Sequence, residues 1–159
     1  MANPVYLELT GNNGNIAGDV SVEGRDGTIE IFSLSHPVTI PVNEQTGVNT
    51  GTRRHKPLIL QKNVDRSSTY LFSAACTGEA LPKGVLRFYR INIKGEEEHY
   101  YTILMEQVKV VDYQLIVPET QEIKNDQLGH REQFALRYTK ITHQYVDGNL
   151  EASDEWDKR

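Results

Sequence analysis

Apolar and polar residues alternate with a period of two through most of this chain. The alternation is clear over residues 5–10 and returns over residues 38–42. This period is typical of a β-strand with one buried face, because successive side chains of a strand point to opposite sides. Pro37 and Pro41 restrict the second of these strands to the edge of a sheet, since proline cannot donate a hydrogen bond to a neighbouring strand. The pattern predicts a mainly β protein.

The longest strand pattern lies in a hairpin in the middle of the chain. One strand ends near Ile93, Gly95 lies in the turn, and the second strand begins near His99. The second strand carries apolar residues on both faces over residues 103–116. A strand of this kind is covered on both sides, either inside a sandwich or barrel or by a neighbouring subunit. The sequence leaves both alternatives open.

Another long strand pattern precedes the end of the chain. We expect a single strand over residues 133–146, with Tyr138 on one face and Ile141 on the other. Asp147-Gly148 follows, and this dipeptide between two strand patterns is a strong signal for a tight type I′ turn. The sequence therefore predicts a terminal hairpin that ends in acidic residues and the single tryptophan.

One segment has the signals of an α-helix. Asp65, Ser67 or Ser68 can cap its N-terminus, and Gly78 can end it in the left-handed conformation. A narrow apolar stripe, which includes Leu71, predicts that this short helix packs on the β body.

A polar stretch without periodicity, residues 42–56, separates two strand patterns. A loop of this length in a compact domain is usually functional or disordered, and the flanking strands predict that it projects as an arm. Its basic cluster, Arg53 to Lys56, could bind phosphates, form a solvated loop base or meet an acidic patch on another subunit. The net charge of −5 and the lack of interleaved aromatic residues argue against nucleic acid. We favour the contact with another subunit.

Length and composition limit the class of protein. A chain of 159 residues is long enough for one domain with a sizeable core, and we expect a single domain over residues 1–159. No apolar run approaches the roughly 20 residues of a membrane-spanning helix, so no membrane insertion is expected. The N-terminus shows no secretory signal. The single cysteine, Cys76, cannot form an internal disulfide, which fits a reducing cytoplasm.

No catalytic, cofactor or metal motif stands out. The five histidines are scattered singly, no G-x-S-x-G occurs, and the glycines near the N-terminus do not follow a phosphate-binding spacing. Cys76 lies among small apolar residues of the predicted helix, where a thiol is usually an inert packing group. Alternation sends Glu97 and His99 to one face of their strand and the adjacent glutamates to the other, which favours a charged hairpin tip over a metal site. We therefore predict no enzyme activity, no catalytic residue, no cofactor and no metal.

The whole chain, residues 1–159, resembles the haemolysin-coregulated protein (Hcp) family, the tube subunits of bacterial type VI secretion. The match rests on the order and spacing of several stretches rather than on one motif. They are "NPVYLEL", "DVSVEGRDGTIEI", "TGTRRHKPLIL", "VDRSSTYLFSAACTGEAL" and "LRYTKITHQYVDGNLEASDEW". One departure is His143-Gln144, where an aromatic residue such as tryptophan often stands in the family.

The resemblance implies a fold and a role. The fold is mainly β: a β-barrel of two packed antiparallel sheets with one short α-helix and a long extended loop. The role is that of a structural subunit: homo-hexameric rings stack into a hollow tube inside a contractile sheath, with a VgrG-type spike protein at the tip and effector proteins in the lumen. Such a tube is cytoplasmic when assembled and is secreted by the type VI route. A phage-type tail-tube protein and a monomeric ligand-binding β-barrel are the alternatives.

A ring of identical subunits requires one surface patch to meet a different patch on the neighbour. We expect the arm, defined as residues 43–55, to reach onto the next ring. We expect the terminal hairpin to meet the next subunit within the ring, the alternative being a hairpin wholly internal to one subunit. The arm consists of Asn43, Glu44, Gln45, Thr46, Gly47, Val48, Asn49, Thr50, Gly51, Thr52, Arg53, Arg54 and His55. The residues expected at the contact within the ring are Thr142, Gln144, Asp147, Glu151, Asp154 and Trp156.

Overall fold

In the computed structural model, which describes residues 3–158, the chain forms twelve β-strands, one α-helix and one 3₁₀ helix. The prediction of a mainly β protein with a single α-helix is therefore confirmed. The strands are β1 (Val5–Gly11), β2 (Gly14–Ile16), β3 (Ile29–Ile31), β4 (Ser33–Ser35), β5 (Val38–Thr39), β6 (Arg54–His55), β7 (Leu58–Asn63), β8 (Leu81–Ile91), β9 (Glu97–Ile116), β10 (Arg131–Arg137), β11 (Lys140–Tyr145) and β12 (Leu150–Glu155); the α-helix α1 is Ser68–Thr77 and the 3₁₀ helix is Ile123–Asn125.

Ten of the strands form two antiparallel sheets that share β9, and β5 and β6 pair separately. Sheet A contains β2, β1, β8, the first part of β9, β11 and β12, with β3 on β1. Sheet B contains the second part of β9, followed by β10, β7 and β4. Residues 29–35 bridge the outer strands of the two sheets, because β3 pairs with β1 and β4 pairs with β7. The prediction of two packed antiparallel sheets is confirmed.

The central strand β9 has 20 residues and changes sheet along its length. Residues 101–106 pair with β11, whereas residues 109–116 pair with β10. Gln107 lies between these two parts with a φ of 53°, a left-handed conformation that non-glycine residues adopt rarely. The bend at Gln107 lets one strand serve both sheets.

The prediction of one strand over residues 133–146 is wrong. β10 ends at Arg137 and β11 begins at Lys140, and the two strands belong to different sheets. Tyr138 and Ile141, predicted on opposite faces of one strand, are both buried. The break follows from the bend in β9, because a strand that pairs with β9 on both sides of the bend must also change direction. The amide of Thr139 donates to the carbonyl of Glu106, next to that bend, at 3.0 Å.

The terminal hairpin is confirmed, but its turn differs from the prediction. β11 pairs with β12 from Lys140 with Glu155 to Tyr145 with Leu150. Positive φ values occur at Gly148 and Asn149 and not at Asp147. A type I′ turn centred on Asp147-Gly148 would need a positive φ at both residues, so that part of the prediction is wrong.

The core fills the space between the two sheets. Sheet A contributes apolar side chains from β1, β8, β9 and β11, and sheet B contributes them from β7, β9 and β10. The largest contributors include Leu7, Leu9, Leu58, Leu60, Leu81, Leu86, Met105, Phe134, Leu136 and Tyr138. The apolar residues on both faces of β9 are thus explained in part by burial within one chain. Val111 and Leu115, near the end of β9, remain about half exposed.

The helix α1 follows its predicted signals. Ser67 occupies the N-cap position without a capping hydrogen bond from its side chain, and Gly78 ends the helix with a φ of 71°. Asp65 supports the first turn, because its carboxylate accepts from the amide of Ser67 at 2.9 Å. Leu71 is fully buried against the sheet, as the apolar stripe predicts.

A fully buried ion pair attaches the helix to sheet B. Lys62 of β7 pairs with Glu132 of β10, and neither side chain is exposed to solvent. Lys62 also donates to Asp65 at 2.8 Å, and Ser68 of the helix donates to Glu132 at 2.8 Å. Tyr113 of β9 donates to the second carboxylate oxygen of Glu132. These bonds satisfy both charges, which a buried ion pair requires.

We predict that Glu132→Gln lowers the free energy of unfolding by about 3 kcal/mol, because it removes the fully buried negative charge that pairs with Lys62 and leaves that ammonium with the carboxylate of Asp65 alone. Urea denaturation at a fixed protein concentration measures the effect. Lys124→Met is the matched control, since its ion pair with Glu122 is exposed and contributes less than about 1 kcal/mol. Equal losses in the two variants would contradict the structural role of the buried pair.

Candidate assembly surfaces

The arm is an ordered hairpin. Val38 pairs with His55 and Thr39 pairs with Arg54 at its base. Farther out, the amide of Asn43 donates to the carbonyl of Val48 at 2.8 Å. Residues 42–52 are exposed and mostly irregular, as the sequence predicts for a loop, with strand pairing at the base and one isolated bridge between Val42 and Asn49. The chain doubles back and forms backbone hydrogen bonds with itself, which periodicity alone could not show.

Several apolar side chains of this hairpin are uncovered in the single chain. The exposed fractions are 45% for Val38, 50% for Ile40, 51% for Val42 and 61% for Val48. At this exposure, these β-branched side chains keep apolar area in contact with water. A partner surface that covered this area would stabilise the complex. The hairpin is therefore a candidate contact surface whose backbone is already ordered.

The base of the arm is attached to the terminal hairpin of the same chain. Arg53 forms a two-point ion pair with the carboxylate of Asp154, and its Nη2 donates to Asp154 Oδ1 at 2.8 Å. The same nitrogen donates to the carbonyl of Glu155 at 3.2 Å. The Arg53 guanidinium holds the pKa of Asp154 well below its ordinary value, and the hydrogen bond from His55 acts in the same direction. We expected an acidic partner for this basic cluster on another subunit, but for Arg53 the partner is Asp154 of the same chain. Arg54 and Lys56 are exposed.

A chain of side-chain hydrogen bonds runs inward from Asp154. His55 Nε2 lies 2.7 Å from Asp154 Oδ2, and His55 Nδ1 lies 2.8 Å from the hydroxyl of Tyr138. The same hydroxyl lies 2.7 Å from His36 Nε2. Burial raises the pKa of Tyr138, and the nearby carboxylate of Asp154 adds to that effect.

The hydrogen-bond chain continues to β11 and β9. His36 Nδ1 lies 3.3 Å from His143 Nε2, and His143 Nδ1 lies 2.6 Å from the hydroxyl of Tyr101. Burial, together with His143 and His55, lowers the pKa of His36 to about 4, and burial also lowers the pKa of His143. The expectation that the histidines are scattered singly is therefore wrong for three of them. They come from β6, β11 and the segment before β5, so no local pattern could have grouped them.

The expected contact residues of the terminal hairpin divide into two groups. Asp154 and Trp156 already have partners within the chain: the Trp156 ring stacks on His55 at 5.6 Å and contacts Tyr138 edge-on at 5.1 Å, between centroids. The others lie on the outer face of sheet A or at the turn. Thr142, Gln144 and Glu151 line a shallow groove on that face, and Asp147 is exposed.

The last strand leaves one of its edges open. Among the described residues, β12 pairs with β11 on one side and with no strand on the other. Leu150 at its start is 66% exposed. Unpaired strand edges are templates for pairing with another chain, so this edge is a second candidate contact surface.

Other sites are not supported in the described part of the chain. Residues 3–158 contain no group of three or more histidine, cysteine, aspartate or glutamate side chains placed to hold a metal ion. Cys76 is exposed on α1 rather than packed among small residues, which corrects the expectation for it. No helix in this part of the chain has both the length and the apolar character to cross a membrane.

We predict that Asp154→Asn destabilises the protein at pH 7, because it removes the negative charge and one of the two oxygens that accept from Arg53 and His55. The folded-state pKa of Asp154 is lowered, so the stabilisation is present above the unfolded-state pKa of about 4 and is lost as the pH falls below it. Urea midpoints of the two proteins should therefore differ at pH 7 and converge toward pH 3. Asp157→Asn, at an exposed position, is the control and should change neither midpoint.

The chain matches a family model described as "Type VI secretion system effector, Hcp" over residues 6–145. The "Major exported protein" of Pseudomonas aeruginosa strain PAO1 is 31% identical over 166 aligned residues, which cover 98% of this chain and 96% of that protein.

Solved structures give the same result. Hcp1 from the E. coli EAEC 042 pathovar, in a doubly substituted form, is 40% identical with a TM-score of 0.86, and the match covers 98% of this chain and 99% of that one. An Hcp protein at 27% identity has a TM-score of 0.91 over 99% of this chain and 100% of that chain. Secreted protein Hcp3 from Pseudomonas aeruginosa, at 28% identity, has a TM-score of 0.81 over the same shares. With the family model matching most of its length, this chain belongs to the Hcp family of the type VI secretion system.

Proposed function

We propose that this chain is a structural tube subunit that forms hexameric rings, and that the rings stack into a hollow tube. On this proposal the tube lies within a contractile sheath behind a VgrG-type spike, carries effector proteins in its lumen, and leaves the cell when the sheath contracts. Family membership supports the secretion role. The observation that carries the assembly is the ordered, projecting arm with its uncovered apolar side chains.

The arm suits a contact between rings because its shape is set before contact. Backbone hydrogen bonds between residues 43 and 48 and between 41 and 50 hold the hairpin. An ordered element loses less conformational entropy on binding than a flexible loop does. Val48 in the arm and Val42 just before it supply exposed apolar area, and the glycine at 47 turns the tip with a φ of 72°. A projecting element that meets a different surface on the next copy gives stacking without limit.

The terminal hairpin suits the contact within a ring. The open edge of β12 lies beside the groove lined by Thr142, Gln144 and Glu151. A neighbour that covers this edge would remove unpaired backbone groups from water. In the proposed ring, this edge and groove meet a different surface of the neighbour, which is the heterologous contact that closes a ring.

The alternatives differ in what they require. A monomeric ligand-binding barrel requires an enclosed apolar pocket, whereas the clefts at the arm base and beside Arg25 are open and lined mainly by polar and charged residues. A phage-type tail-tube subunit would use the same ring and stacking contacts with a different sheath. The family match favours the secretion role over the phage role.

We predict that deletion of residues 46–51 leaves hexamers that no longer form tubes, because it removes the tip that would reach the next ring. Negative-stain electron microscopy measures the number of stacked rings. A second variant, Val42→Asp with Val48→Asp, keeps the backbone length and should shorten the stacks in the same way. Ile123→Asp is the control, since Ile123 is exposed and distant in sequence from the arm. Unchanged stacks in both arm variants would refute the role of the arm.

We predict that Thr142→Arg with Gln144→Arg converts rings to single subunits. Both residues are half-buried on the outer face of sheet A, so the larger side chains can be accommodated in the monomer but not under a neighbour. Sedimentation velocity distinguishes the 18.1 kDa monomer from a hexameric ring of about 109 kDa, six times that mass. Gln114→Arg, an exposed change on sheet B, is the control. A wild-type protein that stays monomeric at high concentration would overturn the proposed function itself.

A further inference from the structure

Three histidines from distant parts of the chain meet between the arm and the two sheets, and the proposed function does not use them. His36 precedes β5, His55 is in β6, and His143 is in β11. The rings of His36 and His143 are stacked with centroids 5.2 Å apart, and His36 and His55 share the hydroxyl of Tyr138. Their hydrogen bonds join the base of the arm to the terminal hairpin and to β9.

The carboxylate of Asp154 sets the direction of these hydrogen bonds. An ionised carboxylate only accepts, so His55 must donate from Nε2. In a neutral imidazole the other nitrogen then has no proton and accepts, so Tyr138 donates its hydroxyl proton to His55 Nδ1. The oxygen of Tyr138 is left to accept from His36 Nε2.

The same reasoning fixes the rest of the chain. His36 donates from Nε2, so its Nδ1 accepts from His143 Nε2. His143 Nδ1 in turn accepts from the hydroxyl of Tyr101. In the neutral form of the cluster, each of the three histidines therefore carries its proton on Nε2. Five hydrogen bonds in a row are satisfied by one arrangement of protons.

This arrangement can take up one proton and no more. A proton that enters at His143 Nδ1 reverses four of the five bonds, because Tyr101 and Tyr138 can rotate their hydroxyl groups, and the charge then rests on His55 beside Asp154. A second proton leaves a buried N–H or O–H without an acceptor and places two positive rings in contact. Both effects are costly away from water.

The charged groups next to the cluster do not stabilise a second positive charge on its histidines. In the described part of the chain, Asp154 is the carboxylate that the cluster contacts, and Arg53, the cation beside it, already pairs with it. The remaining groups facing the rings are the aromatic side chains of Tyr101, Tyr138 and Trp156. Burial of His36 and the presence of the other two histidines lower the pKa of His36 to about 4, in agreement with this geometry.

We propose that this histidine cluster is an acid-sensitive latch, which holds the base of the arm in place at neutral pH and releases it under mildly acidic conditions. Release separates β5 and β6 from Tyr138 and exposes the histidines to water. The further consequence, that acid shortens stacks of rings, rests on the proposed function of the arm.

The pH range follows from the direction of the pKa shift. His36 has a lower pKa in the closed protein than the value of about 6.5 that it regains when exposed. The closed state is therefore fully stabilised above about pH 6.5 and loses stability as the pH falls from there toward 4. For each additional proton that the open state binds, the opening equilibrium can increase up to about tenfold per pH unit.

Hydrogen–deuterium exchange of the whole protein tests the latch. The measured quantity is the protection of peptides covering residues 37–56, corrected for the intrinsic pH dependence of exchange. We expect protection to fall about tenfold between pH 6.5 and pH 5.5, while peptides from β10 keep theirs. Constant protection of the arm base from pH 7.5 to pH 5 would overturn the proposal.

Removal of the titrating groups gives the matched test. In His36→Gln with His143→Gln, each glutamine can donate and accept as a neutral histidine does but cannot become charged, so the fall in protection should disappear. His130→Gln changes an exposed histidine outside the cluster and should behave as the wild type. The same fall in the double variant as in the wild type would contradict the proposal.

Nuclear magnetic resonance of the wild-type histidines covers the case in which the double variant does not fold. At pH 7.5 the nitrogen shifts should show the Nε2–H form for His36, His55 and His143. Titration of both His36 and His143 near pH 6.5 with the arm still protected would overturn the latch. These measurements are made on unstacked protein, so a failure of stacking would refute the proposed function and leave the latch result unaffected.

Discussion

The fold depends on one strand that serves two sheets. β9 continues through 20 residues, pairs with β8 and β11 in sheet A, and then pairs with β10 in sheet B. The change occurs at Gln107, whose left-handed backbone costs roughly 1–2 kcal/mol for a residue with a side chain. The break between β10 and β11 and the burial of Tyr138 follow from this bend. The path of β9 therefore also sets the position of Tyr101, where the hydrogen-bond chain that starts at Asp154 ends.

The two candidate assembly surfaces are physically connected in one subunit. Asp154 lies in the terminal hairpin, where we propose contact within a ring, and it binds Arg53 at the base of the arm, where we propose contact between rings. A neighbour that shifts β12 would therefore also shift the arm. If the proposed function holds, ring closure and stacking would be coupled through this one carboxylate.

The structure contains two buried polar clusters of different character. In the first, Lys62 pairs with Glu132 and Asp65, and the hydrogen bond from Ser68 to Glu132 attaches α1 to the sheet. In the second, neutral histidines are linked through Tyr138 and meet a carboxylate only at one end. The second cluster is built from imidazoles, which offer nitrogens that can take up protons, whereas the first holds opposite charges in contact. The difference separates a structural attachment from a candidate control point.

The sequence determined the features that depend on near neighbours: the strand pattern, the helix between Ser67 and Gly78, the projecting loop, the terminal hairpin and the family. The predictions of one strand over residues 133–146 and of a partner for Arg53 on another subunit were wrong, and the sequence did not indicate that three histidines meet. Each of these depends on residues far apart in the chain: Arg53 and Asp154 are 101 positions apart, and His36 and Tyr138 are 102 apart. Alternation and capping are set by local backbone geometry, which the order of residues records. Contacts across a hundred residues exist only after the sheets have packed, so the tertiary structure alone decided them.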